Sequence, residues 1–278
     1  MNRKDFIKVA GLGLAAGILP NNSGNVLAAT AQDKTPLLQL GLASYTMHKF
    51  SLDDTIKAMK RTGLTNLALK DVHLAIKSTP EEIKGAAEKI RVAGLNLYGG
   101  GVIYMKTEAE VKQAFNYAKL AGMKIIIGVP NYELLSLVEK QVKEHNIKLA
   151  IHNHGPGDKV YSSPDTVYER IKSLDKRIGL CIDIGHTQRI GQDPSKMALK
   201  YADRLYDVHL KDVTGNTGKD TPTEIGRGVI DIPQLLRTLL KIKYQGILAL
   251  EYEKDSADPI PGIAESIGYT KGIMRMIA

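Results

Sequence analysis

The chain has 278 residues, 43% hydrophobic and 24% charged, with a formal net charge of +8 and one cysteine. That composition fits one globular domain of the size at which α/β barrels close, and a lone cysteine excludes a disulfide framework or a Cys-x-x-Cys motif. Nor does the charge point to nucleic acid: the lysines are scattered through segments with helical spacing, with no basic stripe interleaved with aromatics.

Residues 1–31, "MNRKDFIKVAGLGLAAGILPNNSGNVLAATA", begin with Arg3, Lys4 and Lys8, continue as an apolar stretch from Val9 to Leu19, and end in small residues suited to cleavage after Ala28 or Ala31. This is the layout of an export signal, and the apolar stretch is too short and glycine-rich for a membrane span. "NRKDFIK" resembles a twin-arginine export motif with Lys4 in place of the second arginine. The expectation is therefore a leader over 1–31 and a mature domain over 32–278, periplasmic or otherwise exported. No cysteine lies near the cleavage region to carry a lipid anchor, so no membrane anchoring is expected.

From residue 37 onward, short apolar runs alternate with helical patterns. The runs are "LLQLGLASY" (37–45), "NLALK" (66–70), "LNLYGGG" (95–101), "KIIIGV" (124–129), "KLAIHNH" (148–154), "GLCIDIGH" (179–186), "LYDVHLKD" (205–212) and "GILALEYE" (246–253). Near-continuous apolar runs are what parallel strands need when helices cover them. Between them lie helical segments with caps at their starts and Gly or Asn at several ends, such as Ser51 to Gly63 and Thr79-Pro80 to Gly94. Eight strands alternating with eight helices predict an α/β fold, a single-domain (β/α)8 TIM barrel. A doubly wound open sheet is the alternative, but no Gly-x-Gly-x-x-Gly follows the first strand.

In such a barrel the chemistry sits at the C-terminal ends of the strands. Those ends carry Lys70 and nearby His73, then His152, Asn153 and His154, then Asp183 and His186, then His209, Lys211 and Asp212, and finally Glu251. Clustered imidazoles and carboxylates converging on one barrel mouth need a cation or a polar substrate to compensate them. Cys181, inside an apolar run, has the pattern of a small buried residue.

"IGLCIDIGHTQRIGQDP", "YDVHLKD" and "IGRGVIDIPQLLRTLLKIKYQGILALEYE" resemble the xylose isomerase-like sugar isomerase/epimerase superfamily, from about residue 38 to the end. The resemblance implies a divalent metal, Zn or Mn first and Mg or Co next, held by Asp183, His209, Glu251 and a residue on strand 5. Relatives often place a glutamate there, in Glu-Asn-His; this chain reads His152-Asn153-His154, so His152 becomes the fourth ligand. A site with two carboxylates just neutralises the metal, leaving it a stronger Lewis acid.

The chemistry so implied is removal of a proton α to a carbonyl of a sugar or keto-sugar. Glu251, Lys70 and Lys211 are the catalytic candidates, and His73, His154, His186 and Arg227 the candidates for gripping substrate. With one glutamate lost, β-elimination on 3-keto-glycosides is the alternative to isomerisation or epimerisation. A sugar-binding protein with an inactive barrel is the reading from another class. The superfamily's endonuclease branch needs more metal ligands than this chain offers. The expected partner is a small carbohydrate, and an oligomer is compatible with the pattern.

Overall fold

The structure, a computed structural model, describes residues 38–277; the leader expected over 1–31 lies outside the described residues. Eight parallel strands close on themselves: β1 (Gln39–Ala43), β2 (Asn66–Leu69), β3 (Asn96–Met105), β4 (Ile125–Pro130), β5 (Lys148–His152), β6 (Ile178–Asp183), β7 (Leu205–Leu210) and β10 (Ile247–Leu250). The seam joins the first strand to the last, with Gln39 opposite Ile247 and Leu42 opposite Leu250. This is the expected TIM barrel.

The helices form where local chemistry starts and stops them. In α1 (Leu52–Thr62) the Ser51 hydroxyl accepts from the Asp54 amide, and Gly63 ends the helix at φ 67°, a left-handed conformation that glycine adopts without strain. Helices α2 (Pro80–Val92) and α3 (Glu108–Leu120) open on reciprocal capping boxes, Thr79 with Glu82 and Thr107 with Glu110. Next come α4 (Leu135–His145) and α5 (Pro164–Ile171), and later α8 (Ile232–Lys241) and α9 (Ile260–Ile277). Their apolar faces cover the outside of the barrel, where Leu, Ile, Val and Met make up most of the main core.

The interior holds a second, smaller cluster: Ala43, Ala68, Ala150 and Ala249 alternate with Tyr98, Ile125, Ile127, Cys181 and Ile247. Side chains in a strand alternate faces with period two, so two residues beyond Ala150, Cys181 and Ala249 come His152, Asp183 and Glu251, while His209 stands two beyond the buried Asp207. The apolar plug thus sets the height at which the polar layer begins.

Several features differ from the sequence reading: β3 runs on to Met105, while β5 stops at His152 and β10 at Leu250. The run 179–186 was expected to be all strand; instead β6 ends at Asp183, whose carboxylate accepts from the His186 amide at 2.7 Å and starts a short helix, α6 (Ile184–Arg189). It is followed by α7 (Pro194–Lys200). A two-stranded antiparallel ladder, β8 (Asp212–Val213) with β9 (Pro222–Thr223), also sits after β7. No described helix is long and apolar enough to cross a membrane.

Candidate active site and metal centre

Four buried residues from four neighbouring strands converge at the C-terminal mouth. One ligand atom each from His152, Asp183, His209 and Glu251 lies within 4.8 Å of the other three. His152 Nε2 is 3.2 Å from His209 Nδ1 and 3.6 Å from Asp183 Oδ2, and His209 Nδ1 is 3.3 Å from Glu251 Oε2. Two buried atoms of these residues, His152 Nδ1 and Asp183 Oδ2, make no hydrogen bond, although Asp183 Oδ2 faces the Lys211 ammonium at 3.2 Å. Two imidazoles and two carboxylates with one donor atom each inside 4.8 Å are a set whose chemistry fits a divalent cation.

The middle of the His-Asn-His triplet has a different task. The Asn153 amide donates to Thr187 Oγ1, its carbonyl oxygen accepts from the Asp183 amide, and Thr187 Oγ1 donates to the Asp183 carbonyl. Asn153 clips β5 to the β6–α6 turn and so fixes the backbone that aims Asp183.

Lys211 is the charge at the centre of the site. Its buried ammonium lies 2.7 Å from Glu251 Oε2, 3.2 Å from Asp183 Oδ2 and 3.3 Å from Glu253 Oε1. Burial alone would push the Asp183 and Glu251 carboxyls up, but the lysine holds both well below the usual range, helped by His186 and His152 at Asp183 and by His209 at Glu251. Glu253, about a quarter exposed, behaves differently: burial lifts its carboxyl despite the lysine. Burial takes the His152 imidazole down to about 3, keeping it neutral as a metal ligand must be. For His209, contact with Cys181 and Glu251 outweighs burial and raises the imidazole well above its usual value, so an ion bound there must displace a proton.

Above these residues opens a cavity of ≈ 260 Å³ lined by Tyr45, Lys70, Val102, Tyr104, His152, His154, Glu251 and Glu253. Pockets for drug-sized ligands start at roughly 300 Å³, so the space suits a single sugar ring. Lys70 reaches it with its ammonium donating to the Val102 carbonyl at 2.7 Å, and His154 stands beside the Tyr104 hydroxyl at 2.9 Å.

Other residues singled out in the sequence lie elsewhere. His73 does not line the cavity: its ring nitrogens are taken up by Ser44 Oγ, Thr55 Oγ1 and the Met47 carbonyl, so it braces loops. His186 packs behind the donor set, with Nε2 3.9 Å from Asp183 Oδ2. Arg227 is exposed and forms an ion pair with Glu265 rather than facing the cavity. The glycines around it serve Asp212, whose buried carboxylate accepts from the amides of Val213, Gly226, Gly228 and Ile230. A Cβ on Gly228 would lie 2.1 Å from that carboxylate. The Gly-x-Gly turn is thus a backbone clamp that leaves Arg227 on the outside.

Sequence reasoning missed Glu253, Tyr45 and Tyr104. For Glu253 the pattern was available: it stands two residues after Glu251, on the same face. No sequence pattern marks the tyrosines.

The chain belongs to the xylose isomerase-like TIM barrel family, whose model matches residues 56–273. Among curated relatives, the rhizopine catabolism protein MocC of Rhizobium meliloti is 28% identical over 161 residues, 52% of this chain and 48% of that protein. An inosose dehydratase of Clostridium tetani is 29% identical over 143 residues, 46% of this chain and 47% of that enzyme. The matched region spans about half the length of these relatives. Among solved structures, the IolI protein with a bound zinc atom has the same fold at a TM-score of 0.69 and 14% identity, over 87% of this chain and 99% of that one.

Proposed function

We propose that this chain is a metal-dependent enzyme that removes the proton next to the carbonyl of a keto-sugar or related polyhydroxylated ketone and completes a β-elimination. The observation that carries the reading is the asymmetry of the cavity floor. Glu251 and Glu253 line the cavity, both in contact with the Lys211 ammonium, and in the strand-5 position the cavity is lined by the imidazole of His152 in place of a carboxylate. Two-base epimerisation needs a proton acceptor on each face of the substrate, and a His152 engaged with a metal has no lone pair to offer. The dehydratases among the relatives support elimination, and the zinc of the IolI structure supports a divalent ion here.

His152, Asp183, His209 and Glu251 would hold that ion, which when bound supplies Lewis acidity toward the enolate oxygen. The remaining work belongs to the side chains. Glu251 takes the α proton. The Lys211–Glu253 pair lies within 3.3 Å of one another and is placed to return a proton to the departing oxygen. Lys70 and His154 orient hydroxyls, while Tyr45 and Tyr104 wall the ring off from water. An exported enzyme would meet unphosphorylated substrates, in keeping with the leader-like residues 1–31.

The test is solvent exchange in heavy water with a panel of keto-sugars, keto-glycosides and keto-cyclitols. Wild type is expected to incorporate deuterium at the α carbon and to form an unsaturated ketone. Glu251→Gln, with metal content measured alongside, is expected to lose at least ~10²-fold in exchange while substrate still binds. Normal exchange in that variant would remove Glu251 from its role. Binding without exchange in wild type would return the inactive-barrel reading.

A further inference from the structure

Cys181 belongs to the inner face of β6, two residues before Asp183, and is the direct cross-strand partner of His152 in the β5–β6 ladder. It is completely buried. Its sulfur, one nitrogen of His152 and one nitrogen of His209 lie within 4.8 Å of one another. The two histidines therefore belong to two donor sets stacked along the barrel axis: the upper one completed by Asp183 and Glu251, the lower one by Cys181.

The two sets differ in charge and in softness. Both carboxylates of the upper set already face the Lys211 ammonium, so an ion entering there competes with a resident cation. No hydrogen bond or ion pair joins Lys211 to Cys181, His152 or His209 among the described residues. The lower set offers a thiol and two imidazoles, a composition that favours zinc, cobalt and cadmium and disfavours magnesium and manganese. It supplies three protein donors and leaves a fourth position open. His152 also keeps one buried ring nitrogen, Nδ1, without a hydrogen-bond partner.

We propose that Cys181 is a metal ligand, forming with His152 and His209 a second, deeper position that takes a thiophilic divalent ion. Both positions draw on the same two histidines, and the sulfur biases the site toward thiophilic ions. Binding breaks the S–H bond heterolytically: the sulfur lone pair bonds the ion, the proton passes to solvent, and no oxidation state changes. The proposal rests on the reading that His152 and His209 face a metal, and its test separates the two.

The full chain, stripped of metal and reduced, is loaded with one equivalent of Co²⁺ and followed by absorption. A cobalt ion on the donor cluster gives visible ligand-field bands wherever it sits; only a thiolate ligand adds a sulfur-to-cobalt charge-transfer band in the near ultraviolet. The expected result is both features in wild type and only the visible bands in Cys181→Ser and Cys181→Ala. In competition titrations, Cys181→Ser should lose at least tenfold in affinity for Cd²⁺ and keep its affinity for Mn²⁺. Visible bands without charge transfer in wild type would overturn the role of Cys181 and leave the four-donor site standing. No cobalt binding would overturn both. Equal losses for Cd²⁺ and Mn²⁺ would also count against a sulfur ligand. Should the variants fail to fold, the wild-type spectrum alone decides.

Discussion

At the scale of single residues, Lys211 is the most informative side chain, because it serves two functions that mutation separates. As a buried ammonium within 3.2 Å of both Asp183 and Glu251, it opposes the entry of a second cation. As a partner of Glu253, it is the proton donor of the proposed elimination. Lys211→Met is therefore expected to bind a divalent ion about tenfold more tightly, roughly 1.4 kcal/mol, while turnover falls about 10²-fold or more. Chelator competition and steady-state kinetics read the two effects separately; weaker metal binding would contradict the competition. Much of this layer was legible in the sequence. His152, Asp183, His209 and Glu251 stand at the ends of apolar runs, and strand periodicity delivers them to one mouth. His73 and Arg227 were not legible, because both follow strand ends in loops, where residue type does not fix direction. His73 turned toward Ser44 and Thr55, Arg227 toward Glu265.

At the scale of elements, the long helices and barrel strands were legible because caps and apolar runs mark them. The β8–β9 ladder and α6 were not, since pieces of two to six residues are held by single side chains rather than by periodicity. Glu224, immediately after β9, shows how such a piece is tied down. Its carboxylate accepts from Tyr252 Oη at 3.0 Å, from Thr223 Oγ1 at 3.0 Å and from Lys254 Nζ at 2.8 Å, joining the β9 loop to the segment that carries Glu251 and Glu253. Burial would raise this carboxyl, but the lysine and the hydrogen bonds outweigh it and lower it from 4.5 to about 2. A depressed folded-state value contributes stability that is present above the unfolded value and lost as pH falls through the folded one. With half-exposed Lys254 discounted for solvent screening, the contribution is about 2 kcal/mol. Between pH 4.5 and about 2, wild type should lose that stability in urea titrations, whereas Glu224→Gln, already weaker at neutral pH, should show a shallower decline. Parallel pH profiles for the two proteins would rule out this linkage.

At the scale of the whole molecule, the seam between β1 and β10 sets when the proposed base, Glu251, is placed. Its paired residues, Gln39 with Ile247 and Leu42 with Leu250, are separated by more than two hundred positions, and Glu251 follows the seam directly. Local helices and adjacent strand pairs can form from nearby sequence, but this contact requires almost the entire chain and is costly in loop entropy. On the proposed mechanism, proton abstraction then waits until the last circumferential contact is made, and partly folded chains lack the base. On refolding from denaturant, far-ultraviolet circular dichroism should recover in earlier phases and activity only in the slowest. Catalysis appearing ahead of the final phase would mean that Glu251 is placed before the ring closes. Turnover by the proposed mechanism would thus be a clock for the completion of the barrel's own circumference.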